Sequence, residues 1–400
     1  MSAFGTFFSQ SPSFLDSQVR MQKRIGRNNA SSLFGVHKIP CDNQIRNLLD
    51  PVPPEILFPV ISAMGDELYQ QGYLEKFRSV GGTFLIAMDG TDFFSSYNIS
   101  CPNCSNSLMK NGKTLHRHIV VTPVLLAPEN EHVIVLPPEF VKPQDGHDKQ
   151  DCELAASARW LSRWGEHYRP WGITYLGDDL YCHQPHCENV LAQGADYLFT
   201  CKPDSHTTLY EWVTDFERIG KLSTVIVKRR NGKKHFTDTY HYLNQAPLRN
   251  GDNALMSNWF RLVTTDSEGG ILYQNAWATS HLVTDRNVAD LAVSGRARWK
   301  IENENNNVLK TKGYHFEHNF GHGKQNLSNL FATLILIAFL LHTSLEWLDQ
   351  DYAAVRAKLP SRRTFFEHLR ALMQYLPFNG WDHLLGFMHQ GLQPSAPDTS

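Results

Sequence analysis

The sequence predicts an α/β protein with some parallel strand pairing, and three observations lead there. First, the segments FLIAMDG (84–90), HIVVTPVLLA (118–127) and HVIVLPPEFV (132–141) read as three consecutive strands, each bounded by turn residues. Second, a helical pattern over CELAASARWLSRW (152–164) is followed by ITYLGDD (173–179), a helix over 186–191 and DYLFTCK (196–202). Strands alternating with helices in this way give parallel neighbours in one sheet. Third, the chain has the material for a large core: 400 residues, 42% hydrophobic and 20% charged, with Gly 26 and Pro 20. That composition excludes collagen-like, low-complexity and wholly disordered classes.

Taken in order, residues 1–32 are rich in Ser, Asn, Gln and Phe without a clear period, so this segment is expected to be a loosely ordered tail. Residues 33–79 carry apolar positions at spacings of three and four, broken at Pro51, Pro53 and Pro54, which predicts a helical N-terminal unit. The α/β part is assigned to 80–219 and 286–320. Between them, 220–285 reads as short strands with Gly turns, a β-rich insertion ahead of a long helix opening near Asn287. Helices are expected over 321–392 and a Pro/Ser/Asp tail over 393–400. The apolar run Leu330–Leu341 is short of the roughly 20 residues of a membrane-spanning helix and reads as a core helix. The first twenty residues lack the pattern of a secretory signal, and the seven cysteines are odd in number and widely spread, so a cytoplasmic chain with reduced thiols is expected. A net charge of -2 means that any basic surface has to be local.

The candidate chemistry lies in carboxylates. Asp89 ends the strand of FLIAMDG and Asp178 ends that of ITYLGDD, so both would sit at the carboxyl-end crevice of a sheet, where turn acids are also common. In GRARWKIENENNNVLK, Arg298, Glu302, Asn306 and Lys310 are four apart and would share one helical face. That face could equally be solvated with an ion pair, but Asn303 and Asn305 to Asn307 are poor helix formers for a purely structural surface. Three carboxylates without a dedicated cage suit Mg²⁺ or Mn²⁺ acting with substrate phosphates. Neither a G-x-S-x-G elbow nor a G-x4-GK[ST] phosphate loop is present.

The order of parts, with AMDGTDFFS, YLGDDLYCHQP followed by DYLFTCKP, and GRARWKIENENNNVLKTKGYHFEHNFGHG, resembles the DDE transposases of bacterial insertion sequences over about residues 80–345. The resemblance implies a ribonuclease-H-like mixed sheet flanked by helices, with a β-rich insertion before the last acid. It maps Asp89, Asp178 and Glu302 onto the metal-binding triad that cuts and joins double-stranded DNA at element ends and target, by a homodimer on DNA away from any membrane. Asp178 is preferred to Asp179 because the family's second acid is typically followed three residues later by an aromatic, here Tyr181. Asp92 and Glu304 are the neighbouring substitutes. The family's Tyr three residues before the Arg is Gly295 here, and its Lys seven after the Glu is Leu309, with Lys310 one step late. Arg298, Lys310 and Tyr181 are thereby candidates for substrate binding. A structure-selective nuclease with the same acids, and a non-catalytic zinc-knuckle DNA-binding protein, are the competing functions.

Two further clusters stand out. Cys101-Pro-Asn-Cys104 with His116 and His118 gives C-x2-C-x11-H-x-H, near zinc-finger spacing, and is a candidate structural Zn²⁺ site or a pair of unliganded thiols. A second, Cys182-His183-x2-His186-Cys187, either contributes ligands or caps a helix, and HNFGHG (318–323) reads as a polar turn. Lys228, Arg229, Arg230, Lys233 and Lys234 crowd a hairpin at Asn231-Gly232, where they could contact phosphates or serve solubility alone. Trp259, Phe260, Tyr273 and Trp277 nearby read mostly as core.

Overall fold

The structure, a computed structural model, describes residues 1–143 and 151–393. Its centre is a nine-stranded mixed sheet flanked by helices on both faces. The strands in chain order are β1 (Phe84–Ala87), β2 (Gly90–Ser96), β3 (Ser105–Leu108), β4 (Thr114–Val121), β5 (Val124–Leu126), β6 (Ile134–Val135) and β7 (Glu139–Phe140). They continue as β8 (Ile173–Gly177), β9 (Asp196–Thr200), β10 (Ser223–Asn231), β11 (Lys234–Pro247), β12 (Met256–Thr265) and β13 (Ile271–Thr279). The main sheet runs β10-β11-β12-β13-β9-β8-β1-β5-β6, with β1, β8 and β9 parallel and the rest antiparallel. A smaller sheet, β2-β4-β3 with β7 added on β4, stands beside it.

The expected strands exist but are cut where the backbone cannot continue a ladder. The first ends before Asp89 and resumes as β2 in the second sheet. The 118–127 and 132–141 runs are interrupted at Pro123 and at Pro137–Pro138, which have no N–H to donate. The 220–285 block is continuous with the main sheet through β13–β9 pairing, so it extends that sheet.

Alternate residues of β1 explain the two-sided burial. Leu85 and Ala87 belong to one apolar core and Phe84 and Ile86 to the other, all with no exposed surface. The N-terminal half of the chain places α1 (Ser2–Phe8), α2 (Phe14–Gln22), α3 (Arg24–Phe34), α4 (Asp42–Leu49) and α5 (Phe58–Gln70) ahead of the sheet; α6 (Glu153–Tyr168), α7 (Gln184–Ala192) and α8 (Thr207–Arg218) come between strands. After β13 follow α9 (Val288–Arg296), a π turn (Ile301–Asn306), α10 (Asn307–Thr311), α11 (Leu327–Leu348), α12 (Gln350–Lys358), α13 (Arg362–Tyr375) and α14 (Trp381–Gly391).

The expectation of a loose segment over 1–32 is corrected here. Phe7, Phe8 and Phe14 are buried, and their rings pack edge-on or tilted against Phe320, Phe331 and His342. Arg370 donates to the carbonyls of Ser9 and Gln10, and Asn29 donates to those of Met373 and Leu376. What looked like a period-free polar stretch is three short helices, each too brief for periodicity to register, held by the far end of the chain. The expected tail at 393–400 lies almost wholly outside the described residues. Helix α11 is longer than the apolar run that predicted it; it is the one described helix long and apolar enough to cross a membrane, and it is mostly buried within the fold.

Candidate active site

The register of β1 and β8 sets the first two acids. Ala87 is paired with Leu176, so Asp89 and Asp178 each stand two residues beyond a matched position on adjacent parallel strands. Neighbouring strands lie about 4.8 Å apart, which brings the two backbones side by side at the same end of the sheet. The chain then leaves the sheet differently at each. After Asp89 the backbone turns into β2, with the Thr122 amide donating to the Asp89 carbonyl at 3.2 Å. After Asp178 a turn forms in which the Leu180 amide donates to Asp178 Oδ1 at 2.8 Å.

The neighbouring acid, Asp179, does something else. It is buried, its Oδ1 accepts the Lys202 amide at 2.6 Å, its Oδ2 accepts the Ser205 hydroxyl at 2.5 Å, and His206 lies 3.3 Å away. Asp179 therefore ties the end of β8 to the loop after β9, and Asp178 is the acid left facing the crevice. Asp92 is likewise engaged, by Arg117 at 3.3 Å.

The third acid arrives on the π turn. Glu302 is exposed and accepts from Arg298 Nη2 at 3.0 Å. Glu304 points elsewhere, into a cleft shared with Lys312, Arg356 and Arg362. The expected single face is thus only half formed. Arg298 and Glu302 meet, Asn306 Nδ2 reaches Asp89 Oδ2 at 3.5 Å, but Lys310 turns to Glu317 at 2.8 Å. The cause is the i→i+5 bonding of 301–306, which rotates residues four apart away from one line.

The asparagines find their use here. Asn305 has no exposed surface and donates to the Thr122 hydroxyl at 3.1 Å and to Asn306 Oδ1 at 3.0 Å, while Thr122 donates to Asn306 Oδ1 at 3.3 Å. This network locks the π turn onto the end of the Asp89 strand.

A fourth carboxylate, which the sequence reading passed over as the ordinary start of a helix, completes the group. Glu153 Oε1 accepts the Gly90 amide at 2.9 Å and the Tyr181 hydroxyl at 2.7 Å. A Cβ on Gly90 would come within 2.6 Å of Glu153 Oε2, so glycine is required beside Asp89 for this approach. Tyr181, expected to bind substrate, is corrected to a positioning residue: it is fully buried, packed under Gly177 with its hydroxyl on Glu153. Burial pushes the Asp89 carboxyl up to about 7, with the charges of Glu153, Glu302 and Asp178 adding to the rise and Arg298 opposing it. Four carboxylates and one arginine thus act on one point at the end of the sheet. Their oxygens are nonetheless spread out: among the described residues, Asp89, Asp178 and Glu302 are not in a group whose ligand atoms all lie within 4.8 Å of one another.

Two other groups are that close. Cys101, Cys104, His118 and His322 form one. His116, expected in it, is half-buried and faces Asn106 Oδ1 at 2.6 Å; two residues before His118 on β4, it lies further along the strand, level with Asn106 and Ser96. His322, from the segment read as a polar turn, takes its place. The second group joins Cys182 to Cys201 and His206, all buried, and not to His183, His186 or Cys187. In the basic hairpin, Lys228 and Arg230 are exposed, whereas Arg229 is paired with Asp238 at 2.5 Å and lies over the Phe236 ring. Trp259, Phe260 and Trp277 are core residues, and Tyr273 lies under Arg296.

No protein-family model matches this chain, and no curated protein matches it either.

Proposed function

We propose that the chain is a metal-dependent polynucleotidyl transferase, a transposase that cuts and joins double-stranded DNA at the ends of an insertion sequence. The observation that supports the reading is the grouping of acids at one end of the sheet: Asp89 and Asp178 stand at equal height on neighbouring parallel strands, and Glu302, on the π turn that Asn306 ties to Asp89, is near enough for its charge to raise the Asp89 carboxyl. An all-oxygen donor set with surplus negative charge fits a hard divalent cation such as Mg²⁺ or Mn²⁺, and not a softer one. Asp89, Asp178 and Glu302 would hold it; such ions polarise the attacking and leaving oxygens of a phosphodiester displacement.

The chain's own residues supply the rest. Arg298 holds Glu302 and offers a positive charge at the rim for a phosphate. Glu153, fixed by Gly90 and Tyr181, keeps the carboxylate density high behind Asp89. The exposed Lys228, Arg230, Lys233 and Lys234 of the hairpin give a local basic tip on a chain of net charge -2.

The test uses a supercoiled plasmid carrying the coding sequence with its native flanks. The full chain should nick or break it only with Mg²⁺ or Mn²⁺ present. Asp89→Asn and Glu302→Gln should each abolish cutting while retaining the wild-type circular dichroism spectrum and gel-shift affinity. Cutting that is indifferent to divalent ions, or unimpaired in both variants, would overturn the proposal.

A further inference from the structure

Cys101 and Cys104 lie in the turn that precedes β3, His118 is on β4 beside them, and His322 comes from the stretch between α10 and α11, more than 200 positions away. The separations are 3.8 Å for Cys101 Sγ to Cys104 Sγ and 3.4 Å for Cys101 Sγ to His118 Nε2. Cys104 Sγ lies 3.5 Å from His118 Nε2 and 3.6 Å from His322 Nε2. A tetrahedral zinc with Zn–S of about 2.3 Å and Zn–N of about 2.05 Å requires S···S edges of about 3.8 Å and S···N edges of about 3.6 Å. A disulfide would bring the sulfurs to about 2.05 Å, so the pair is spaced as ligands of one ion and not as a covalent bridge. The Cys101 amide also points at Cys104 Sγ at 3.4 Å, an N–H···S contact that favours a thiolate.

We infer that Cys101, Cys104, His118 and His322 bind one structural Zn²⁺ in a closed tetrahedral site. The inference is independent of DNA cleavage, since it rests on other residues. With four protein ligands there is no open position for substrate, so the ion acts on the fold. Its place in the topology says which part. The two cysteines and His118 belong to the small sheet entered directly after Asp89, and His322 follows the π turn that carries Glu302. The metal would therefore staple the chain just past the third acid to the sheet just past the first. The surroundings are built for this. His322 is buried, its ring lies against Phe94 with centroids 4.3 Å apart, and Asn103 within the cysteine turn donates to the Gln325 carbonyl at 2.6 Å. Gly323 has φ +71°, and a Cβ there would come within 2.3 Å of Asp50 Oδ1, so the backbone beside His322 is specified as well.

The experiment is elemental analysis of the purified full chain, and of His116→Ala, His322→Ala and Cys104→Ser, after dialysis against metal-free buffer. Wild type and His116→Ala should carry about one zinc per chain, while His322→Ala and Cys104→Ser should fall at least about tenfold. The wild type should also melt lower after exposure to a strong chelator and recover on adding Zn²⁺. Because loss of the ion can unfold a variant, a second measurement uses wild type alone. Mercurial titration of its thiols should release the zinc, and Co²⁺ exchange should give the intense ligand-field bands of a tetrahedral sulfur–nitrogen site. Wild-type protein that contains no zinc, takes up neither ion and melts identically with chelator would overturn the inference. So would zinc retained by His322→Ala but lost from His116→Ala.

Discussion

Replacing the adjacent acids Asp178 and Asp179 separates chemistry from folding at a single peptide bond. Asp179→Ala removes two hydrogen bonds to a buried carboxylate, from the Lys202 amide and the Ser205 hydroxyl, and the partner of His206. Bonds to a charged group contribute roughly 1.5–3 kcal/mol each, and two on one side chain are not additive, so the expected loss is about 3 kcal/mol of stability. Asp178→Asn keeps an oxygen for the Leu180 amide and disturbs nothing buried; the expected change is below about 0.5 kcal/mol. Activity should run the other way. If Asp178 holds the proposed divalent ion, Asp178→Asn should slow plasmid cutting by about 10³-fold, equivalent to about 4 kcal/mol of barrier, while Asp179→Ala should still cut at temperatures where it is folded. Urea unfolding followed by tryptophan fluorescence gives the first pair of numbers and nicking rates in Mg²⁺ the second. A folded, inactive Asp179→Ala beside an active Asp178→Asn would reverse the assignment. A stability loss under about 1 kcal/mol for Asp179→Ala would refute its role as a tie between β8 and the loop after β9.

The hairpin and the C-terminal helices offer two more tests. If the β10–β11 tip binds DNA, replacing Lys228, Arg230, Lys233 and Lys234 with Ala should flatten the slope of log K against log salt by about 0.9 for each phosphate no longer neutralised, whereas Arg229→Ala should instead lower stability by leaving buried Asp238 unpaired; an unchanged slope removes the hairpin from the interface. Glu346 on α11 is held by His132, Arg362 and Arg356. Burial alone would raise its carboxyl, but the hydrogen bond from His132 and the charge of Arg362 overcome this and hold it down at about 2. A carboxyl depressed from about 4.5 stabilises the fold above that pH, by about 3 kcal/mol, and the contribution is lost as pH falls through 4.5 toward 2. Glu346→Gln should therefore cost at least that much at pH 7, and its deficit relative to wild type should shrink in urea titrations taken from pH 5 to pH 3; a constant deficit would mean that the carboxylate is not the source.

How much of this was legible depends on whether the signal was local. The strands that end at Asp89 and Asp178 announce themselves through continuous apolar runs stopped by glycine and aspartate, and their adjacency follows from the strand–helix alternation. The exchange of His116 for His322 was not legible, because strand register decides which histidine lies level with the cysteines, and the replacement lies beyond the π turn. Glu153 was missed for a related reason: a glutamate in the first turn of a helix is ordinary, and only Gly90, without a side chain, lets it reach the Asp89 strand. The segment 1–32 misled because its burial is supplied by α11 and α13, more than 300 residues away, and no local pattern records that.

The register of the last acid shows the same limit in sharper form. On the proposed transposase reading, Lys310 stands one residue late and Gly295 takes the place of a Tyr. Both departures have a physical reading. A Cβ at position 295 would come within 2.6 Å of Trp277 Nε1, so α9 can lie on β13 only with glycine at that contact. The π turn over 301–306 carries one residue more than an α-helical turn would, and past it Lys310 turns to Glu317. That extra residue is accommodated where Asn305 and Asn306 turn inward to Thr122 and Asp89, contacts that a regular helix would aim elsewhere. The asparagine run that made a plain surface helix a poor explanation is thus what holds the bulge in place, and the bulge delivers Asn306 to Asp89 at the end of its strand.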